Sequence, residues 1–79
     1  MILDEIRAFV TANFYVADPV SLKDAESLLD SGVIDSTGVL EVIAFIEKTF
    51  GFAVEDDEML PENLDSIEHI ANFVMRKKK

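Results

Sequence analysis

Apolar residues recur at three-and-four spacing in three stretches of the chain, and each spacing predicts an amphipathic helix. The first runs over residues 2–14, where Ile2, Leu3, Ile6, Phe9, Val10 and Phe14 fall on one face. Asp4 and Glu5 lie in its first turn, where negative charge suits the helix dipole. Pro19 pushes Asp18 out of the helical region, so the segment from Tyr15 to Pro19 should end the helix.

From Pro19 to Ile34 no period persists. Ser21 to Asp24 can start one short turn, and Asp30-Ser31-Gly32 reads as a turn into the next element. A connection this long in so small a domain needs anchors. Val20, Leu22, Leu28, Leu29, Val33 and Ile34 are the apolar candidates, with the Leu28-Leu29 pair expected to dip into the core.

The second helix is predicted over residues 36–50. Val39, Ile43, Ile46 and Phe50 form its stripe, widened by Val42, and Gly51 stops it as a glycine cap. Leu40, Ala44 and Phe45 lie off that stripe, so the helix is apolar over more of its circumference than a surface helix needs. Such a helix is central to the core or carries an exposed binding strip. After Phe52 and Val54 comes the acidic run Glu55 to Glu58. A short helix is expected around 56–60, closed by Pro61. The last helix is expected from Asp65, with Asp65 and Glu68 as a capping box. Ile67, Ile70, Ala71 and Val74 would be its buried face, and Arg76 to Lys78 suit its C-terminal end. Three main helices, one short third helix and no strand signal make an all-α four-helix bundle.

Composition narrows the function. Seventy-nine residues form a single domain over 1–79, with no cysteine for disulfides or cysteine-rich metal sites. No apolar run reaches membrane-spanning length, and the first residues lack a basic signal-peptide region, so a cytoplasmic protein is expected. Sixteen acids face seven bases, and four of those bases are Arg76 to Lys79. Residues 1–75 therefore carry −13. That charge repels nucleic acid and anionic membranes and attracts proteins with basic faces.

Ser36 is the candidate for chemistry. A serine before an apolar helix can be an N-cap, and Asp35 can be an acid favoured near a helix N-terminus. As a nucleophile Ser36 would need a base in reach, and nothing in the spacing assigns that task to His69, the only histidine. A phosphodiester suits the same position, because free N–H groups and the dipole favour negative charge there.

Gly32-x-x-Asp35-Ser36, an apolar helix containing Val39, Glu41, Val42, Ile43 and Glu47, and then Phe50-Gly51, resembles the acyl and peptidyl carrier protein family. The likeness spans nearly the whole chain. It implies a free-standing, monomeric four-helix carrier of acyl-carrier-protein type, not an enzyme. It also implies that a phosphopantetheinyl transferase attaches 4′-phosphopantetheine to Ser36, next to Asp35. A loading enzyme would place an acyl or aminoacyl thioester on the arm, and a downstream synthase or transferase would take it. The docking face implied by the family includes Asp35, Leu40, Glu41, Ala44 and Glu47, and the acidic balance independently favours a basic partner.

The family usually has leucine after the serine; this chain has Thr37-Gly38. Glycine there costs helix propensity, up to about 1 kcal/mol relative to alanine. Close access of a partner to the arm is one reason for it, and family drift is the plainer alternative. Together with the loss of apolar lining at Thr37, such access favours a small cargo in a specialised nonribosomal-peptide, polyketide or modified-lipid pathway, ahead of housekeeping fatty-acid synthesis. The competing class is a non-carrier helical interaction module, with Ser36 only a cap and Leu40 an anchor for a partner helix. The run Glu55 to Glu58 has no calcium-loop spacing and reads as solvated. His69 is expected at the surface. The basic tail, residues 76–79, fits a frayed end, a helix-end charge complement or a partner contact equally well.

Overall fold

A computed structural model describes residues 2–14, 16 and 22–78. Among the described residues four α-helices follow one another: α1 (Ile2–Asn13), α2 (Ser36–Phe50), α3 (Pro61–Leu64) and α4 (Ile67–Lys77), with a 3-10 turn at Asp56–Glu58. No strand occurs among the described residues. The expected stop between Tyr15 and Pro19, and the anchor Val20, lie outside the described residues except for Val16.

Each main helix buries the face its spacing predicts. Ile6 and Val10 of α1, Val42, Ile43 and Ile46 of α2, and Ile67, Ile70 and Val74 of α4 meet in one core. Removing these side chains from water is the main driving force for the bundle, at roughly 1.5–3 kcal/mol for each fully buried aliphatic. Both α1 and α3 pack against α4. The excess apolar surface of α2 has a partner on one side: Phe45 stacks on Phe9 of α1, ring centroids 4.1 Å apart, and meets Phe50 edge-on at 6.2 Å. Its other off-stripe residues, Leu40 and Ala44, face solvent. Gly51 ends α2 in the left-handed conformation at φ +77°, its N–H donating to Glu47 O.

Three expectations are overturned, two of them in the second half of the chain. Pro61 does not close a helix but opens one: it is the first residue of α3, where its missing N–H would have had no partner and its fixed φ is already helical. The preceding turn over Asp56–Glu58 is separate. Asp65 does not cap α4; that task belongs to Ser66, fully buried, whose hydroxyl accepts from His69 N at 2.9 Å. Asp65 instead reaches across to the 22–35 connection. Its Oδ2 accepts from Ser27 Oγ at 2.6 Å, its Oδ1 from Leu29 N at 2.9 Å, and its carbonyl from Leu28 N at 2.6 Å. Finally, the Leu28-Leu29 pair splits. Leu28 is in the core and Leu29 is 37% exposed.

Two more ties hold that connection. Arg7 of α1 donates to Leu22 O and to the Asp24 carboxylate, and Glu68 N of α4 donates to Asp24 O at 2.8 Å. Phe73, outside the face predicted for α4, is buried against Phe52 in an edge contact. At the other end of the bundle, Lys77 Nζ meets the two Glu58 oxygens at 2.9 and 3.1 Å, and Arg76 donates to Asn63 Oδ1. Lys78 Nζ lies 5.7 Å from the centroid of the Phe50 ring. Residues 76–78 of the basic tail thus bind back onto the domain; Lys79 lies outside the described residues.

Candidate functional site

The approach to α2 is a tight reversal. Leu28 O accepts from both Val33 N and Ile34 N, and Gly32 turns the chain between them at φ +79°. Buried Ile34 then pins the strand of chain that enters the helix. Asp35, in extended conformation, is the N-cap: its Oδ1 accepts from Gly38 N at 2.8 Å and its carbonyl from Val39 N at 2.9 Å. Ser36 is therefore the first helical residue and not the cap. Its side chain is exposed, and among the described residues its hydroxyl has no hydrogen-bond partner.

That division of labour leaves the serine oxygen available for chemistry. The aspartate satisfies one orphan donor of the first turn, while the N–H groups of Ser36 and Thr37 have no acceptor among the described residues. An anion borne on Ser36 would meet these donors and the positive end of the helix dipole. A phosphodiester fits here.

Gly38 has a structural explanation that replaces partner access. It is buried, and a Cβ built on it would stand 3.0 Å from Phe14 Cε1 and 3.1 Å from Ile34 Cβ. The glycine lets the end of α1 and the loop close against the first turn of α2. Thr37 is exposed beside it.

Beside Ser36 an apolar cleft of about 220 Å³ opens between α2 and the 59–64 segment. Leu29 and Val39 form one side; Met59, Leu60, Pro61 and Leu64 form the other. Sequence reasoning missed this second wall because a helix closed by Pro61 would have turned these residues elsewhere. Of the residues assigned to docking, Leu40 is 61% exposed, and Asp35, Glu41 and Ala44 are also exposed on the outer side of α2. Glu47 is half-buried, and its carboxylate accepts from Val54 N at 2.8 Å, holding the chain after α2. His69 is exposed. Among the described residues no group of histidine, cysteine or carboxylate side chains is arranged to hold a metal ion, and no helix is long and apolar enough to cross a membrane.

Comparison with known proteins decides the class. The family model described as "Phosphopantetheine attachment site" matches residues 4–74, which span all four helices. The chain belongs to the phosphopantetheine-binding carrier proteins. Among curated proteins it is similar to the D-alanyl carrier protein of Abiotrophia defectiva, 31% identical over 61 residues, covering 76% of this chain and 77% of that one. No solved structure gives a significant match. The cofactor of this carrier is covalent 4′-phosphopantetheine, and the carrier is a substrate of partner enzymes, which do the chemistry. The arm, when attached, supplies a thiol on which an acyl group is held as a thioester. What the chain contributes is position and recognition.

Proposed function

We propose that Ser36 is the attachment residue and that the cargo is an aminoacyl or short acyl group. The carrying observation is that Asp35 takes over capping, leaving an exposed, unbonded serine hydroxyl at the first position of α2. In the transfer, Ser36 Oγ forms the new bond to phosphorus and loses its proton; the nucleotide part of coenzyme A leaves with the electrons of the broken P–O bond.

Two observations support small cargo. The similar protein from Abiotrophia defectiva is named for D-alanine. The cleft beside Ser36 encloses about 220 Å³, below the roughly 300–1,000 Å³ of pockets that engulf drug-sized ligands. A specialised pathway that activates an amino acid therefore fits better than bulk fatty-acid synthesis, and D-alanine is the first cargo to try. Exposed Leu40 and Ala44, flanked by Asp35 and Glu41, form the face offered to a partner. Leu40 would be its apolar anchor and the carboxylates would steer a basic enzyme. Glu47 borders this face while bonded to Val54 N.

Incubation of the apo chain with a broad-specificity phosphopantetheinyl transferase and coenzyme A should add the mass of one arm to the wild type and none to Ser36→Ala. Addition to Ser36→Ala would reject Ser36 as the attachment residue. The holo chain is then loaded with D-alanyl and with acyl groups of increasing length. Thioester cleavage by an external amine should be no slower for long chains than for short ones; strong shielding of long chains would point to a fatty-acyl carrier instead.

A further inference from the structure

We propose that Asp65 is a positioning residue for the attachment site, acting on Ser36 through the connection that precedes it. This rests on Ser36 being the attachment residue. Asp65 stands at the junction of α3 and α4, yet its carboxylate takes both Ser27 Oγ at 2.6 Å and Leu29 N at 2.9 Å, 38 and 36 positions earlier in the chain. Its carbonyl takes the intervening Leu28 N at 2.6 Å. One residue thus clamps three consecutive ones.

The clamped segment is the base of the turn that presents Ser36. Leu28 O receives Val33 N at 3.0 Å and Ile34 N at 3.2 Å, and Ser27 Oγ receives Asp30 N at 3.0 Å. Ile34 leads directly into Asp35, the cap, and Ser36. Leu29 is also a wall of the cleft beside Ser36, and being 37% exposed it gains little from burial to hold it in place. Without the carboxylate, Leu29 N loses its acceptor and Ser27 Oγ its partner, so this wall and the reversal behind it gain freedom. The core anchors Leu28 and Ile34 and the bond from Leu28 N to the Asp65 carbonyl all remain in an alanine variant. The side chain is therefore placed to govern the geometry of the loop more than the existence of the fold. A transferase must bring phosphorus to Ser36 Oγ in one orientation, and small misplacements of a reacting atom are costly in rate.

The test compares four purified apo chains: wild type, Asp65→Ala, Asp65→Asn and Ile70→Val. Ile70 is fully buried in α4, and trimming it loosens the core while leaving both carboxylate bonds of Asp65 in place. Asparagine keeps an acceptor for Leu29 N and offers its amide to Ser27 Oγ, whose hydroxyl accepts as readily as it donates. With each chain folded by circular dichroism, kcat/KM for transfer of the arm should fall about tenfold in Asp65→Ala, stay near wild type in Asp65→Asn, and be unchanged in Ile70→Val. Amide hydrogen exchange at Leu29 should speed up at least about tenfold in Asp65→Ala alone. If Asp65→Ala does not fold, Ser27→Ala, which removes the bond to Asp65 together with the one from Asp30 N and keeps Leu29 N on the carboxylate, takes its place and should show a loss of the same kind. Transfer to the folded variant at the wild-type rate, or equal losses in Asp65→Ala and Ile70→Val, would overturn the role. A wild type that takes no arm on Ser36 would instead overturn the assignment of the serine itself.

Discussion

Two neighbouring residues, Asp35 and Ser36, are interchangeable as helix caps by composition, and the backbone decides between them. Asp35 is extended at φ −119°, ψ −170°, with its carboxylate on Gly38 N; Ser36 is already helical. The acidic residue thereby stabilises α2 by about 1 kcal/mol, the usual worth of a side-chain cap, and the hydroxyl is spared. Gly38 completes the arrangement by leaving room for Phe14 and Ile34. Gly38→Ala would regain up to about 1 kcal/mol of helix propensity. It would also force a methyl group to within 3.1 Å of Ile34 Cβ, an atom fixed to a buried backbone. Overpacking of this kind costs about 1–3 kcal/mol. Urea unfolding should show a net loss of about 1 kcal/mol; a gain would mean that the α1–α2 contact relaxes freely.

Among elements, the main helices and the segments between them behave differently. The spans of α1, α2 and α4 are legible from apolar spacing because each buries a stripe three or four residues apart. The segment from 55 to 63 has no buried apolar side chain, so nothing in its pattern predicts where it lies. Polar ties place it. Glu58 accepts from Glu55 N at 2.9 Å and from Lys77, and Asn63 bridges Glu58 O and Arg76. The Glu55 N–H, and after it the Lys77 ammonium, hold the Glu58 carboxyl below its ordinary 4.5. A depressed carboxyl contributes stability that is complete above its unfolded pKa and disappears as pH falls through the lower folded value. Glu58→Gln should therefore be less stable than wild type at neutral pH. That gap should start to close near pH 4.5 and vanish at more acid pH, measured by urea titration at a series of pH values. A gap independent of pH would show that the charge on Glu58 is irrelevant.

At the scale of the whole molecule, a chain of 79 residues has little stability to spare: about 4–12 kcal/mol at the usual contribution per residue. Phe73 is among the largest fully buried side chains and seats the loop after α2 through Phe52. Phe73→Ala should cost about 3–5 kcal/mol, a quarter or more of that stability. Urea unfolding followed by circular dichroism would check this; an unfolding midpoint equal to that of the wild type would mean that the bundle repacks around the gap. The same whole-molecule view explains the acidic balance. The described lysines and arginines near the C-terminus are engaged with Glu58, Asn63 and aromatic rings, so the outer side of α2 presents its carboxylates unopposed by them.

What the chain settles by itself is its periodic content: an all-α bundle, the limits of α2, and a turn, an acid and a serine in sequence at the start of that helix. These follow from side-chain spacing and turn chemistry, which are local. Only the packed bundle decides that Asp65 holds the loop at Leu29 while Ser66 caps α4, that Pro61 begins a helix, and that Gly38 makes space between elements. Those choices depend on which groups meet across tens of residues, and no local rule distinguishes an aspartate that caps from one whose better partners arrive through tertiary contact.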